Sequence, residues 1–139
     1  MNQLAKAELR ALVDRLYKAI TTGDSDALME ILHPDFVGRV TPGLPKGVGG
    51  LHRGPAAMRD EVWWTLGRHF RVGVEVEQAA SLDDGRLLIV GLYKVEGRRS
   101  RKALDAEFVH LIGFADGRIA SIHQVTDSAR FVEALGDVA

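Results

Sequence analysis

His110 is the residue of this 139-residue chain whose type and surroundings best fit proton-transfer chemistry. It lies within the apolar run FVHLIGF, and the alternation of a β-strand groups its side chain with Ala106, Phe108, Ile112 and Phe114. A histidine on such a face has two possible roles. It acts as a general acid or base in a pocket, because its ordinary pKa lies near neutrality, or it sits in the core with one structural hydrogen bond.

The last strand-like run, RIASIHQVT, brings a second group to the same face, and the turn ADGR before it decides which one. A two-residue hairpin places His123 opposite His110, whereas a type I turn with Gly117 as a bulge places Gln124 there. A glutamine does not exchange protons at neutral pH, so Gln124 would orient a substrate or stabilise an oxyanion. Asp127 is either the N-cap of the helix SARFVEAL or a pocket acid, and the cap is favoured.

Several other side chains are candidates for holding a substrate. Tyr93 lies in a long apolar strand, where its hydroxyl needs a partner either in a pocket or in the core. Trp63 and Trp64 cannot point the same way on a helix, so one packs in the core and Trp64 is assigned to a cavity wall. His69 shares an apolar helix face and is a further pocket candidate. Arg39, in FVGRVT, either binds a carboxylate or enolate in a pocket or projects outward from a sheet edge.

Composition excludes several classes of function. The chain has no cysteine, and its five histidines are scattered without a paired ligand spacing, so we expect no metal site and no cofactor. The net charge is −1, and the basic run RRSRK lacks interleaved aromatic residues, so we expect no nucleic-acid partner. No apolar run approaches the roughly 20 residues of a membrane span, and the N-terminus does not resemble a signal peptide. The expected location is cytoplasmic, with no membrane partner.

The first half of the chain predicts helices. Apolar residues at helical spacing indicate a helix from about Leu9 to Ile20, and Asp24 or Ser25 can cap a second helix over DALMEIL. Pro34 ends that helix, and DFVGRVT then reads as a short strand. Pro55 suits the first turn of a third helix that runs to about Phe70 and is apolar on more than one face, which is typical of a buried helix.

The second half predicts strands. The runs VGVEVEQA, RLLIVGLYKV, ALDAEFVHLIGF and RIASIHQVT are separated by the turn signals DDG, EGRRSR and ADGR. Helices followed by an antiparallel meander indicate an α+β fold, and the length fits one domain over 1–139. Long strands that curve around a buried helix would enclose an interior.

Three segments carry a resemblance to a known family. They are HPDF at 33–36, the GxxxM segment at 54–58, and AEFVHLIGFADGRIASIHQVTD at 106–127. Together with the order of elements, they resemble the SnoaL-like branch of the nuclear transport factor 2-like superfamily, a branch named for polyketide cyclases. The resemblance implies a cone-shaped α+β barrel, with three N-terminal helices on a curved, mostly antiparallel sheet around a central pocket. It also implies a homodimer formed through the outer face of the sheet.

The same resemblance implies a chemistry. It places His110 in the pocket and aligns Gln124 with a catalytic aspartate of the cyclases, so a glutamine stands where a carboxylate is expected. The implied function is a small cofactor-independent enzyme of the isomerase, dehydratase, cyclase or hydrolase type. In it, His110 moves a proton of an apolar, cyclic small molecule that Gln124 orients. The superfamily also includes pure binding proteins, so the alternative is a non-catalytic ligand-binding or accessory domain.

The segment TPGLPKGVGGLHRGPAAM (41–58) contains three of the four prolines and five of the fifteen glycines. Its glycine spacing does not match a phosphate-binding loop, and both of its flanks belong to the same domain. We therefore expect an ordered rim or lid over the pocket, with Leu44, Leu51 and His52 as candidate ligand contacts.

Overall fold

The computed structural model describes residues 5–136. The helices are α1 (Lys6–Thr22), α2 (Ser25–Ile31), α3 (Pro55–Ala57), α4 (Trp64–His69) and α5 (Ser128–Leu135). A 3-10 turn at Pro45–Gly47 and a π-helical segment at Met58–Trp63 complete the helical elements of the described residues. The strands are β1 (Leu32–Val40), β2 (Gly50–Arg53), β3 (Phe70–Ser81), β4 (Leu87–Gly97), β5 (Ala103–Ala115) and β6 (Arg118–Thr126).

All six strands form one curved, unclosed sheet in the order β2-β1-β6-β5-β4-β3. Only the β1–β6 pair is parallel, and the other neighbours are antiparallel. The predicted α+β class and the mostly antiparallel cone are confirmed. The buried apolar residues of the described chain form one core cluster between the sheet and the helices. None of the helices in residues 5–136 is long and apolar enough to cross a membrane.

The N-terminal helices form where the sequence predicts them. α1 buries one apolar stripe that includes Leu12, Val13 and Leu16, and it ends at Gly23, whose φ of 71° is the left-handed conformation typical of a helix C-terminus. Asp24 caps α2, because its side chain accepts a hydrogen bond from the backbone N–H of Ala27 at 3.1 Å.

The third predicted helix has an unforeseen conformation. α3, the π-helical segment and α4 follow one another without a break, so residues 55–69 form one helix with a wide turn in its middle. Met58 and Val62 on this segment are buried, and Met58 packs against Gly38 of β1. A Cβ atom at position 38 would lie 2.5 Å from the Met58 sulfur, so the glycine provides the space for the helix to approach the sheet.

The segment 41–58 is an ordered part of the sheet edge. The turn at Pro45–Gly47 leads into β2, which pairs with β1. Leu44 and His52 are buried. The Nε2 atom of His52 donates to the carbonyl oxygen of Val48 at 2.7 Å, and its Nδ1 lies 2.7 Å from Glu61 Oε1. This corrects the predicted lid: these contacts hold the segment against its own neighbours, and no residue of 41–57 borders the cavity described below.

Candidate functional site

A cavity of about 530 Å³ lies between α1, the helix of residues 55–69 and the inner face of the sheet. This volume is within the range of small-molecule sites, which is roughly 300–1,000 Å³. Its wall is mainly apolar and is formed by Leu16, Ile20, Met58, Val62, Trp63, Trp64, Leu66, Phe70, Val72, Val74, Ile122 and Phe131.

Polar side chains meet at the buried end of this cavity and form a chain of hydrogen bonds. The His110 ring lies between two tyrosines, with Nδ1 at 2.7 Å from the Tyr17 hydroxyl and Nε2 at 2.5 Å from the Tyr93 hydroxyl. Gln124 Nε2 donates to the Tyr93 oxygen at 3.2 Å. All four side chains border the cavity, and all four are nearly inaccessible to solvent.

The backbone fixes the orientation of the Gln124 amide. The N–H of Thr41 donates to Gln124 Oε1 at 3.2 Å, and a backbone N–H can only donate. The Thr41 hydroxyl donates to the Gln124 backbone carbonyl at 2.9 Å, which holds β1 and β6 together at this level. The Nε2 group of Gln124 therefore faces Tyr93 as a donor, so the direction of the Gln124–Tyr93 hydrogen bond is fixed, while the direction of the Tyr93–His110 bond depends on the tautomer of His110.

Counting protons along this chain leaves one hydroxyl proton over. One N–H of the Gln124 amide is directed at Tyr93, and Tyr93, neutral His110 and Tyr17 each add one donor, so four donors meet three contacts. If His110 carries its proton on Nδ1, the surplus proton belongs to Tyr17; if it carries the proton on Nε2, the surplus proton belongs to Tyr93. Within the described residues neither hydroxyl has a further acceptor, so the remaining proton is available to a ligand in the cavity.

Burial keeps this group of residues uncharged at neutral pH. Desolvation lowers the pKa of His110 to about 3. Desolvation also raises the pKa of both tyrosines well above the ordinary value, while the hydrogen bond from Gln124 acts in the opposite direction on Tyr93. The stacked ring of Phe108, with its centroid 4.4 Å from that of Tyr93 and 4.3 Å from that of His110, contributes to this apolar environment.

A bulge in β6 places Gln124, not His123, opposite His110. The turn at Asp116 and Gly117 is a two-residue hairpin turn, with positive φ at both residues. That turn alone would have paired His123 with His110. The register changes between Phe114↔Ile119 and Gly113↔Ser121, so Ala120 is an additional residue on β6. The structure thus combines the turn of one predicted alternative with the register of the other.

The cavity contains part of the predicted site. His110, Gln124, Tyr93 and Trp64 all border it. Trp63 also borders it, so the expectation that the two tryptophans would separate between core and cavity is wrong.

Other predicted residues lie elsewhere. Arg39 is exposed on β1, where it pairs with His123 of β6 on the outer side, and it does not border the cavity. His69 is the last residue of α4 and does not border the cavity, although its neighbours Arg68 and Phe70 do. The buried Leu44 and His52 also lie outside the cavity wall. Asp127 occupies the N-cap position of α5 without a capping hydrogen bond from its side chain, and it too lies outside the wall.

Sequence reasoning missed two parts of the site. Tyr17 falls on the apolar stripe of α1 and carries no prediction of its own from the sequence, although a buried tyrosine hydroxyl requires a partner and that requirement was the available signal. Three arginines, Arg68, Arg71 and Arg98, border the exposed mouth of the cavity and come from three separate elements. Within residues 5–136, no group of three histidine, aspartate or glutamate side chains is arranged as metal ligands would be.

Comparisons with known proteins agree with this architecture. The family model described as SnoaL-like domain matches residues 13–122. A search of curated protein sequences found no match.

Solved structures with the same fold cover nearly the whole chain. One is an NTF2-like protein of unknown function from Burkholderia pseudomallei, with 19% identity, a TM-score of 0.81, and coverage of 93% of this chain and 98% of that one. A second is a proposed polyketide cyclase from Xanthomonas campestris pv. campestris, with 15% identity, a TM-score of 0.78 and coverage of 94% and 98%. A third is TerC, co-crystallised with polyporic acid, with 20% identity, a TM-score of 0.78 and coverage of 92% and 97%. At these identities the likeness extends to the fold alone.

Proposed function

The chain belongs to the SnoaL-like domain family, and from this membership we propose that it is a small enzyme that acts on an apolar, cyclic small molecule without a cofactor. The observation that carries the proposal is the surplus hydroxyl proton at the buried end of an apolar cavity. A carbonyl or enol oxygen of a ligand is the acceptor that this proton lacks. The reaction type is an isomerisation, dehydration, cyclisation or hydrolysis.

Tyr17 is the hydroxyl best suited to reach the ligand. Tyr93 already has two partners, Gln124 and His110, whereas Tyr17 has only His110. In the corresponding tautomer, Tyr93 donates to Nε2 of His110, and Nδ1–H of His110 donates to Tyr17. The Tyr17 proton is then directed to the ligand oxygen, where it stabilises negative charge that develops during the reaction.

His110 acts in this scheme as a relay that stays neutral. When Tyr17 gives its proton to the ligand oxygen, Nδ1–H of His110 replaces it and Nε2 takes the proton of Tyr93. The negative charge then lies on the Tyr93 oxygen, which accepts a hydrogen bond from Gln124. A carboxylate at position 124 would repel that charge, whereas an amide donor stabilises it. The reverse transfer returns the proton and restores the resting site.

The test compares two histidines that lie on adjacent strands. After a thermal-shift screen of cyclic ketones and polyketide-like aromatic compounds, turnover of each bound compound is measured for the wild type, His110→Gln and His123→Gln. We expect His110→Gln to lower kcat by about 100-fold or more, because positioned proton transfer contributes on that order. The control His123→Gln should retain kcat, since His123 faces away from the cavity. Full turnover in His110→Gln would contradict the assignment.

A second candidate function is ligand binding without catalysis. Two observations favour it: burial depresses the pKa of His110, and no aspartate or glutamate borders the cavity within the described part of the chain. Binding of the screened compounds without any conversion would support this candidate over the enzyme.

We also propose that the chain forms a homodimer through the outer face of its sheet. Val90, Val109 and Val125 lie side by side across β4, β5 and β6 on that face, and Val125 is 49% exposed. A second copy related by a two-fold axis would cover this row with the same row. By light scattering after gel filtration we expect a dimer for the wild type and a monomer for Val109→Glu. Val132→Glu, at an exposed position of α5, is the control and should remain dimeric; a monomeric wild type would refute the proposal.

A further inference from the structure

The mouth of the cavity carries positive charge, and within residues 5–136 no carboxylate borders the cavity. Glu96 of β4, opposite Arg71, and Asp60, near Arg68, lie outside the cavity wall. The exposed border of the mouth is formed by the end of α1, the end of α4, the start of β3 and the turn after β4. Arg68, Arg71 and Arg98 lie on this border, and within residues 5–136 none of them is within 4.0 Å of a carboxylate. The whole chain has a net charge of −1, so this local excess does not reflect the overall composition.

The protein orients these arginines in different ways. Arg98 is fixed at the mouth, because its Nε donates to the carbonyl oxygen of Gly67 at 2.8 Å and its backbone N–H donates to the carbonyl oxygen of His69 at 2.9 Å. Arg68 donates from Nη2 to the Thr65 hydroxyl at 3.1 Å. Arg71 makes no side-chain hydrogen bond to a described residue. The terminal nitrogens of Arg98 and Arg71 are therefore available to an incoming group.

The local field is visible at a neighbouring residue. Burial, and then the charges of Lys46 and Arg68, hold the pKa of His69 below its ordinary value. A guanidinium presents paired N–H groups that match the two oxygens of a carboxylate. An apolar cavity below such a mouth suits a molecule that has a hydrophobic body and one anionic end.

We propose that the ligand of this cavity is an apolar carboxylic acid, whose carboxylate is bound by Arg68, Arg71 and Arg98 while its ring system fills the cavity. This inference rests on the proposed function, in which the cavity binds an apolar molecule. The proposed function requires the ligand to have an acceptor oxygen at the buried end of the cavity. The present inference requires in addition that the ligand has a negative charge at the mouth.

The experiment uses two probes of nearly the same shape, 2-naphthoate and methyl 2-naphthyl ketone, and measures their binding to the full chain by calorimetry. We expect the acid to bind about tenfold more tightly than the ketone, because several partly exposed arginine contacts together supply an effect of that size. The preference should decrease when the salt concentration is raised, since salt screens exposed charges.

Variants separate this inference from the function on which it rests. The triple variant Arg68→Gln, Arg71→Gln, Arg98→Gln should bind both probes equally, and Arg71→Gln alone, which breaks no hydrogen bond within the described residues, should lose part of the preference. Arg99→Gln, on the same turn but outside the cavity wall, should retain all of it. Equal binding of the two probes by the wild type would overturn the inference and leave the cavity function intact. Binding of neither probe would overturn both.

Discussion

Replacement of Gly91 by alanine is expected to lower the free energy of unfolding by about 3 kcal/mol or more, enough to prevent stable folding in a marginal protein. Gly91 lies in β4 opposite Val76, at the bulge where Glu77 is the additional residue of β3. A Cβ atom at position 91 would overlap the carbonyl oxygen of Glu75 and would lie 3.0 Å from the ring of Phe108. The first obstacle is backbone, and the second is a buried ring that stacks on Tyr93, so neither can move without disturbing the site.

Gly73→Ala provides the matched control. Gly73 lies in β3, the neighbour of β4, and the atom nearest to an added Cβ is Lys94 Cβ at 3.7 Å, an ordinary van der Waals contact. Urea unfolding followed by circular dichroism gives the free energy for each variant. Gly73→Ala should stay within about 1 kcal/mol of the wild type, as surface strand substitutions usually do. Equal stability of the two variants would show that β3 and β4 are not packed as described.

Acidification is expected to destabilise the protein through His110. The unfolded chain binds a proton to this histidine near pH 6.5, whereas the folded protein does so only near pH 3. Between these values the unfolded state holds more protons, so stability falls as the pH is lowered. Each pH unit is worth about 1.4 kcal/mol, and the whole window of pH 6.5 to about 3 is worth on the order of 5 kcal/mol. The stability that comes from keeping the buried imidazole neutral is fully present above pH 6.5 and is lost progressively as the pH falls toward 3.

Carboxylates also titrate in this range, so the measurement is a difference between variants. Free energies of unfolding are determined for the wild type, His110→Gln and His123→Gln at intervals between pH 4 and pH 7. We expect the wild type and His123→Gln to have parallel pH profiles, because both retain the buried imidazole. The His110→Gln profile should be flatter by about 1 kcal/mol per pH unit. Three parallel profiles would mean that His110 is accessible to protons in the folded state.

Part of the site was predictable from side-chain alternation. The parity of β5 groups His110 with apolar residues, and this places it on the inner face together with Tyr93 of the paired strand. The residues of β6 alone do not decide between His123 and Gln124, because the choice depends on a bulge that none of them specifies by itself; the family resemblance favoured Gln124, and the register agrees with it. The extent of β1 was also misjudged: it begins at Leu32 and includes Pro34, where an interruption before the strand was expected.

The remaining parts of the site depend on tertiary contacts. Tyr17 reaches His110 only because α1 lies across the inner face of the sheet, and residues 93 positions apart carry no local sign of that contact. The three mouth arginines look like ordinary surface residues within their own elements. Leu44 and His52 were assigned to a lid because glycine and proline indicate an ordered loop, but these residues do not determine against which surface the loop packs.

The additional residue in β6 has a consequence for how such a site can evolve. Ala120 is bulged between Ile119 and Ser121, so the pairing state of this one residue determines which later side chain faces His110. If Ala120 paired with Gly113, every later residue of the strand would move to the opposite face and His123 would replace Gln124 opposite His110, whereas deletion of Ala120 would remove the bulge and keep Gln124 there. Substitutions that suppress the bulge are thus a route to a different polar group in the cavity without any change at position 124.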